Sequence, residues 1–220
     1  YQFRAEDLLN ATNLYTKAIF ICSPNNPTAN LLDKNEIVKL LTEFEGIVVV
    51  DEAYIDFAPE SSLLPDLDNY PNLIVLQTFS KAWGMAGIRL GMAFAQPEII
   101  KVFNKVKYPY NINILTQKKA LELLAKAQEK EEWVKLIVEE RDKMVRKLFK
   151  FPFVQVVYPS DANFVLVKMN DARGIYEYLT EQKIIVRDRS KVALCDDCLR
   201  ITIGSPKENK KLRKALKKLI

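Results

Sequence analysis

The feature that most limits the fold is the unbroken apolar run Ile47-Val48-Val49-Val50, which stops at Asp51. Its β-branched residues favour an extended backbone, because they pack well on a pleated surface. An alternating pattern would leave one face to water. A continuous one needs cover on both faces, as strands of a parallel sheet receive from their crossover helices. Ala18–Cys22, Leu73–Gln77 and Leu90–Ala95 repeat the strand signal, and Leu32–Phe44 carries apolar residues at helical spacing with Asp33 near its start. This alternation predicts an α/β fold with a mostly parallel sheet and helices on both faces.

The texture then changes. Residues 114–150 contain no glycine or proline and keep helical spacing, which predicts one or two long helices bridging two domains. Beyond Pro152, short strands are expected at Val154–Val157, Phe164–Met169, Ile184–Val186 and Leu199–Ile203. Helices are expected at Ala172–Gln182 and Pro206–Ile220. The domain scheme is therefore 1–113 as an α/β domain, 114–150 as bridging helices, and 151–220 as a small α+β domain.

Composition removes several function classes. The chain has no histidine, so Ser-His-Asp triads, histidine-liganded metals and the commonest general acid–base are absent. Chemistry must run on lysine, carboxylates, tyrosine, cysteine or a cofactor. Cys195-Asp196-Asp197-Cys198 has the spacing of a zinc or redox pair. With Cys22 as the only other cysteine, zinc would lack ligands, and a reduced pair in a cytoplasmic protein is expected. No apolar run approaches the roughly 20 residues a membrane span needs. The net charge of +5 gathers in the C-terminal lysines, interleaved with Leu212, Ala215, Leu216 and Leu219 as on the solvated face of a helix. No motif supports nucleic-acid binding there.

Three strand ends carry chemistry. In open α/β sheets, ligands bind at the carboxyl ends of strands. Asp51 stands at one such end, where it could serve as a helix cap, an ion-pair partner or a ligand-binding carboxylate; Glu52 beside it is expected to point elsewhere. Thr78-Phe79-Ser80-Lys81 follows the next strand, with Gly84 and Gly87 to let the backbone turn and Arg89 as a fixed cation. Hydroxyls, a turn and an arginine make a phosphate cradle. A lysine in that place is either a plain charge or a nucleophile and base. Ser23-Pro24-Asn25-Asn26-Pro27-Thr28 follows the first strand.

Taken in order, Asn26-Pro27-Thr28-Ala29, Asp51-Glu52-Ala53-Tyr54, and Thr78-Phe79-Ser80-Lys81 with Gly87-Ile88-Arg89 resemble the fold-type I aminotransferases that use pyridoxal 5′-phosphate (PLP). The resemblance covers essentially the whole chain. It implies that residues 1–113 are the C-terminal part of the large PLP-binding domain. Lys81 would hold PLP as a Schiff base and carry protons between the substrate Cα and the cofactor. Asp51 would pair with the pyridine nitrogen, and Asn26 and Tyr54 would hydrogen-bond the ring oxygen. Thr78, Ser80 and Arg89 would hold the phosphate. It also implies ping-pong transamination and a homodimer; with no histidine and too few cysteines, no metal site is expected.

Two arginines narrow the substrate. Arg187 is expected to end the strand Ile184–Val186, and Arg200 to lie near the start of Leu199–Ile203. By resemblance, Arg200 forks the carboxylate of the amino or oxo acid. Arg187, in Val186-Arg187-Asp188, resembles the arginine that histidinol-phosphate aminotransferases turn to the substrate phosphate. That subfamily implies L-histidinol phosphate as amine donor and 2-oxoglutarate as acceptor, in histidine biosynthesis. Rival readings are an aromatic aminotransferase, a threonine-phosphate decarboxylase, or a non-catalytic aminotransferase-like regulatory domain. The chain departs from the family at two points. Ala29 replaces a glycine, at about 1–2 kcal/mol if positive φ is required. The family's N-terminal third also has no counterpart, so a fragment with weak or no activity is expected.

Overall fold

A computed structural model describes residues 1–220. Its contacts divide into two units: residues 1–25 with 31–131, and residues 26–30 with 132–220.

The first unit is built on a four-stranded sheet of β1 (Ala18–Cys22), β2 (Ile47–Asp51), β3 (Leu73–Thr78) and β4 (Gly91–Ala95), in the order β1-β2-β3-β4. The first three strands run parallel and β4 is antiparallel to β3. Val48, Val49 and Val50 are all buried, as a run covered on both faces must be. Val48 and Val50 join Ile21, Leu73 and Val75 in a core closed by α1 (Ala5–Asn10) and α2 (Lys34–Glu43). The spacing of Ile37, Leu40 and Leu41 puts one stripe of α2 into that core. The side chain of Asp33 caps the helix by accepting the Asn35 N–H at 2.8 Å. Cys22, Asp51 and Leu76 lie level across the sheet, so the carboxyl ends of β1, β2 and β3 share one edge. The unit continues through α3 (Pro97–Val106) and α4 (Ile114–Leu124) into the first turn of α5 (Ala127–Leu148).

The second unit holds an antiparallel sheet in the order β5-β6-β8-β7, comprising β5 (Val154–Val157), β6 (Phe164–Met169), β7 (Arg187–Asp188) and β8 (Cys198–Thr202). Helix α5, with α6 (Ala172–Glu181) and α7 (Pro206–Leu216), supplies Met144, Leu148, Leu179, Leu212 and Leu216 to its core. A reciprocal capping box starts α7: Ser205 Oγ accepts the Glu208 N–H at 3.4 Å, and the Glu208 carboxylate accepts the Ser205 N–H at 2.8 Å. No helix is long and apolar enough to cross a membrane.

The structure departs from the sequence reading in several places. Ile184–Val186 is not a strand. Lys183 takes φ 56° and the Ile184 N–H donates to Leu179 O at 2.9 Å, so these residues serve to leave α6. Pairing with β8 begins only at Arg187, which therefore starts a strand instead of ending one. The 114–150 segment, expected as one or two long helices, is two, broken at residues 125–126 with neither glycine nor proline present. The contact division falls inside α5 and draws residues 26–30 into the second unit. Helix α7 stops at Leu216, followed by a 3-10 turn over Lys217–Leu219.

Candidate active site

Asp51 ends β2 where the chain leaves the sheet, and its Oδ1 accepts the N–H of Ala53 at 2.9 Å. That bond turns the backbone and aims the carboxylate into a crevice of about 640 Å³, which Thr78, Ser80, Lys81 and Arg89 also line. Glu52 points the other way. It is buried and accepts from Leu63 N (2.6 Å), Ser62 Oγ (2.8 Å) and Gln77 Nε2 (2.9 Å). Burial pushes its pKa up, more than these donors pull it back.

Thr78 closes β3. Its hydroxyl donates to Leu90 O at 3.3 Å and accepts the Ser80 N–H at 3.1 Å, which starts the next turn. That turn is fastened by Gly84 N–H to Lys81 O and by Met85 N–H to Phe79 O, both at 3.0 Å. Gly84, at φ 64°, needs its lack of a side chain; Gly87 does not take a positive φ. Lys81 is thereby held with its Nζ 4.8 Å above the ring of the buried Tyr54. Arg89 is exposed, sits at φ 54° and donates to Ala86 O at 3.0 Å.

In the second unit, Arg200 Nη1 donates to Asn26 Oδ1 at 2.7 Å, and its guanidinium lies 5.0 Å from the centre of the Phe164 ring. Arg187 is the direct partner of Arg200 across β7 and β8. Directly opposed residues of an antiparallel pair share a face, and like charges there repel. Two arginines so placed suit an anion. Ala29 adopts φ 70° in a fully buried position, with its carbonyl accepting the Asp161 N–H at 2.7 Å.

The first unit thus gathers Asp51, Tyr54, Thr78, Ser80, Lys81 and Arg89, while the second pairs Asn26 with Arg200 and sets Arg187 opposite. The first unit also brings together three residues the sequence did not point to, Asp56, Trp83 and Lys130, through the Lys130 ammonium. They are far apart in the chain, so no local spacing could have linked them.

The class I and II aminotransferase pattern matches residues 1–218. The chain belongs to the class I and II aminotransferase family. Among curated members, the histidinol-phosphate aminotransferase of Bacteroides fragilis (strain YCH46) is 55% identical over 218 residues, covering 99% of this chain and 63% of the relative. Among solved structures, the histidinol-phosphate aminotransferase of Clostridium acetobutylicum aligns with a TM-score of 0.90 at 28% identity, over 98% of this chain and 67% of that one. The Sinorhizobium meliloti histidinol-phosphate aminotransferase, solved in complex with pyridoxal-5′-phosphate, aligns with a TM-score of 0.86 at 26% identity, over 98% of this chain and 62% of that one. The chain therefore spans somewhat under two thirds of the length of the curated relatives it matches. The mixed α/β sheet of its first unit is that of a fold-type I aminotransferase domain.

Proposed function

We propose that this chain carries the covalent chemistry of a PLP-dependent histidinol-phosphate aminotransferase. The observation that carries the proposal is the position of Lys81 Nζ, 4.8 Å above the Tyr54 ring, at a crevice lined by Asp51, Thr78, Ser80 and Arg89. The donor set fits the cofactor. A primary amine can hold an aldehyde, a carboxylate can hold a ring N–H, and two hydroxyls with a guanidinium can hold a phosphate. When bound, PLP supplies an electron sink for charge that develops at the substrate Cα.

The protein's own groups would then do the rest. Lys81 Nζ anchors the cofactor and afterwards serves as the base for the Cα proton. The Asp51 carboxylate keeps a proton on the ring nitrogen, and the hydroxyl of Tyr54 and the amide of Asn26 serve the ring oxygen. Thr78, Ser80 and Arg89 hold the cofactor phosphate. Arg200 forks the carboxylate of the 2-oxo acid, with 2-oxoglutarate as acceptor and glutamate as its product. Arg187 takes the phosphate of L-histidinol phosphate; the direct pairing of the two arginines favours an anionic substrate at both turnovers. The names of the relatives point to histidine biosynthesis, and three free cysteines fit a reducing cytoplasm. A homodimer is part of the same reading.

The test is to mix the chain with PLP, reduce with borohydride and map the modified lysine by mass spectrometry. A stoichiometric adduct confined to Lys81 is expected. Scattered labelling that persists in a chain of the relatives' full length would end the reading. In that longer chain, Arg187→Ala should weaken use of histidinol phosphate far more than that of an unphosphorylated amino acid; equal losses would remove Arg187 from the phosphate site.

A further inference from the structure

Lys130 lies near the start of α5 with only 11% of its side chain exposed, its Nζ 3.1 Å from Asp56 Oδ1 and 2.6 Å from Glu131 Oε1. The same ammonium stands 5.2 Å from the centre of the Trp83 ring. Burial alone would push it towards neutrality, but hydrogen bonds to Glu131 and Asp56 hold its pKa above the ordinary lysine value, so it stays a cation. A lysine on a helix surface needs none of this.

Two of its partners, Asp56 and Trp83, belong to the two turns that make the candidate site. Asp56 sits in the 3-10 turn Ile55–Phe57, whose preceding residue is Tyr54, and the Phe57 N–H donates to Tyr54 O at 3.1 Å. Trp83 sits in the turn that begins after β3 and carries Lys81, its ring edge-on to Phe79 with centroids 5.8 Å apart. These turns meet where Lys81 Nζ lies over Tyr54, and they meet again through the Lys130 ammonium. A lysine side chain has many rotamers, so where its amine stands depends on how firmly the backbone beneath it and the surface it rests on are held.

We propose that Lys130 is a positioning residue whose ammonium, gripping Asp56 and Trp83 together, fixes the Lys81 amine against Tyr54. Its functional meaning rests on the assignment of Lys81 proposed above, whereas its geometry does not.

The experiment uses the full 220-residue chain as wild type, Lys130→Met, Lys130→Arg and Trp83→Leu. A short pulse of limiting acetic anhydride at several pH values, read by mass spectrometry, reports the reactivity of each lysine amine without any cofactor. Exposed Lys191 and Lys217 serve as internal references. Lys130→Met should change the reactivity of Lys81 relative to these by about three- to tenfold, the range open to a lost, partly buried cation–π and ion-pair contact. Lys130→Arg keeps the charge and should restore Lys81 to within about twofold of wild type, since guanidinium also pairs with a carboxylate and stacks on indole. Should Lys130→Met fail to fold, Trp83→Leu removes the aromatic face and carries the same expectation. Lys81 reactivity matching wild type at every pH in the folded variants would overturn the proposal, and so would a change shared by all lysines, which reports only a loosened fold. PLP trapping in a chain of the relatives' full length tests the cofactor assignment separately: absence of a Lys81 adduct there counts against that assignment, while acetylation still decides the role of Lys130.

Discussion

Asn209 is where a single deletion should cost the second unit most for its size. The residue is 2% exposed and Glu140 is 6% exposed. Its amide nitrogen donates to Glu140 Oε2 at 2.9 Å and to Gly204 O at 2.8 Å, and its Oδ1 accepts the Gly204 N–H at 3.0 Å. One side chain thus ties α5 to the chain leaving β8, the strand that holds Arg200. Asn209→Ala removes all three bonds. Two neutral hydrogen bonds contribute about 0.5–1.5 kcal/mol each and one to a carboxylate about 1.5–3 kcal/mol, so the whole range is about 2.5–6 kcal/mol. The lower half applies, because Lys143 Nζ still pairs with Glu140 at 3.1 Å and Gly204 is only half-buried and can take water. The expected loss is about 3 kcal/mol.

Native-state hydrogen exchange read on peptides covering residues 198–216 and 134–150 measures this locally, without requiring both units to unfold together. The sign of the pH dependence follows from Glu140. The hydrogen bond from Asn209 is the largest influence on it and holds its pKa below the ordinary value. A lowered carboxylate contributes stability that is complete above its unfolded pKa and disappears as pH falls through the folded one. The wild-type and Asn209→Ala curves should therefore approach each other in acid. A loss under about 1 kcal/mol at neutral pH, or a gap that stays constant into acid, would refute the reasoning.

Glu52 should show the opposite trend. Burial raises its pKa, so its ionisation opposes folding as pH rises from the ordinary glutamate value of about 4.3. The stability of Glu52→Gln relative to wild type should improve across that rise in urea titrations, and a flat difference would contradict it. Ala29→Gly should be nearly neutral, within about 1 kcal/mol by thermal melting. Relief of a left-handed alanine, about 1–2 kcal/mol, is offset by the added chain freedom of glycine and a lost buried methyl of about 0.8 kcal/mol. Ellman's reagent should find one accessible thiol in the native chain, the exposed Cys22, slowed because burial and the nearby Asp51 push its pKa up, and three after unfolding. Cys195 and Cys198 are buried, and burial with the neighbouring Cys195 pushes the Cys198 thiol up to about 11.

What the sequence made legible was whatever depended on near neighbours. Val48, Val49 and Val50 announced a strand covered on both faces, and a strand so covered has an end that faces a crevice; hence Asp51, Thr78 and Lys81 stand out in the sequence alone. The motif that carries glycine where Ala29 stands raised the question of a positive φ, which the structure answers at 70°. The same local logic misled at Ile184–Val186, because an apolar run reads alike whether it pairs in a sheet or merely leaves a helix. It also passed over α1, at six residues too short to show a period, and α3, an amphipathic stretch with proline in its first turn.

The Lys130 cluster fails to show for a deeper reason. Asp56, Trp83 and Lys130 are each ordinary in their own windows, and 74 residues separate the ends of the ion pair. Groups that bond to a cofactor must be particular residue types at particular strand ends, so they leave a motif. A group that holds those residues in place needs only a charge and a flat face at the right distance, and several pairs of residue types meet that need. The supporting layer of a site is therefore less visible in a sequence than the layer in contact with its ligand.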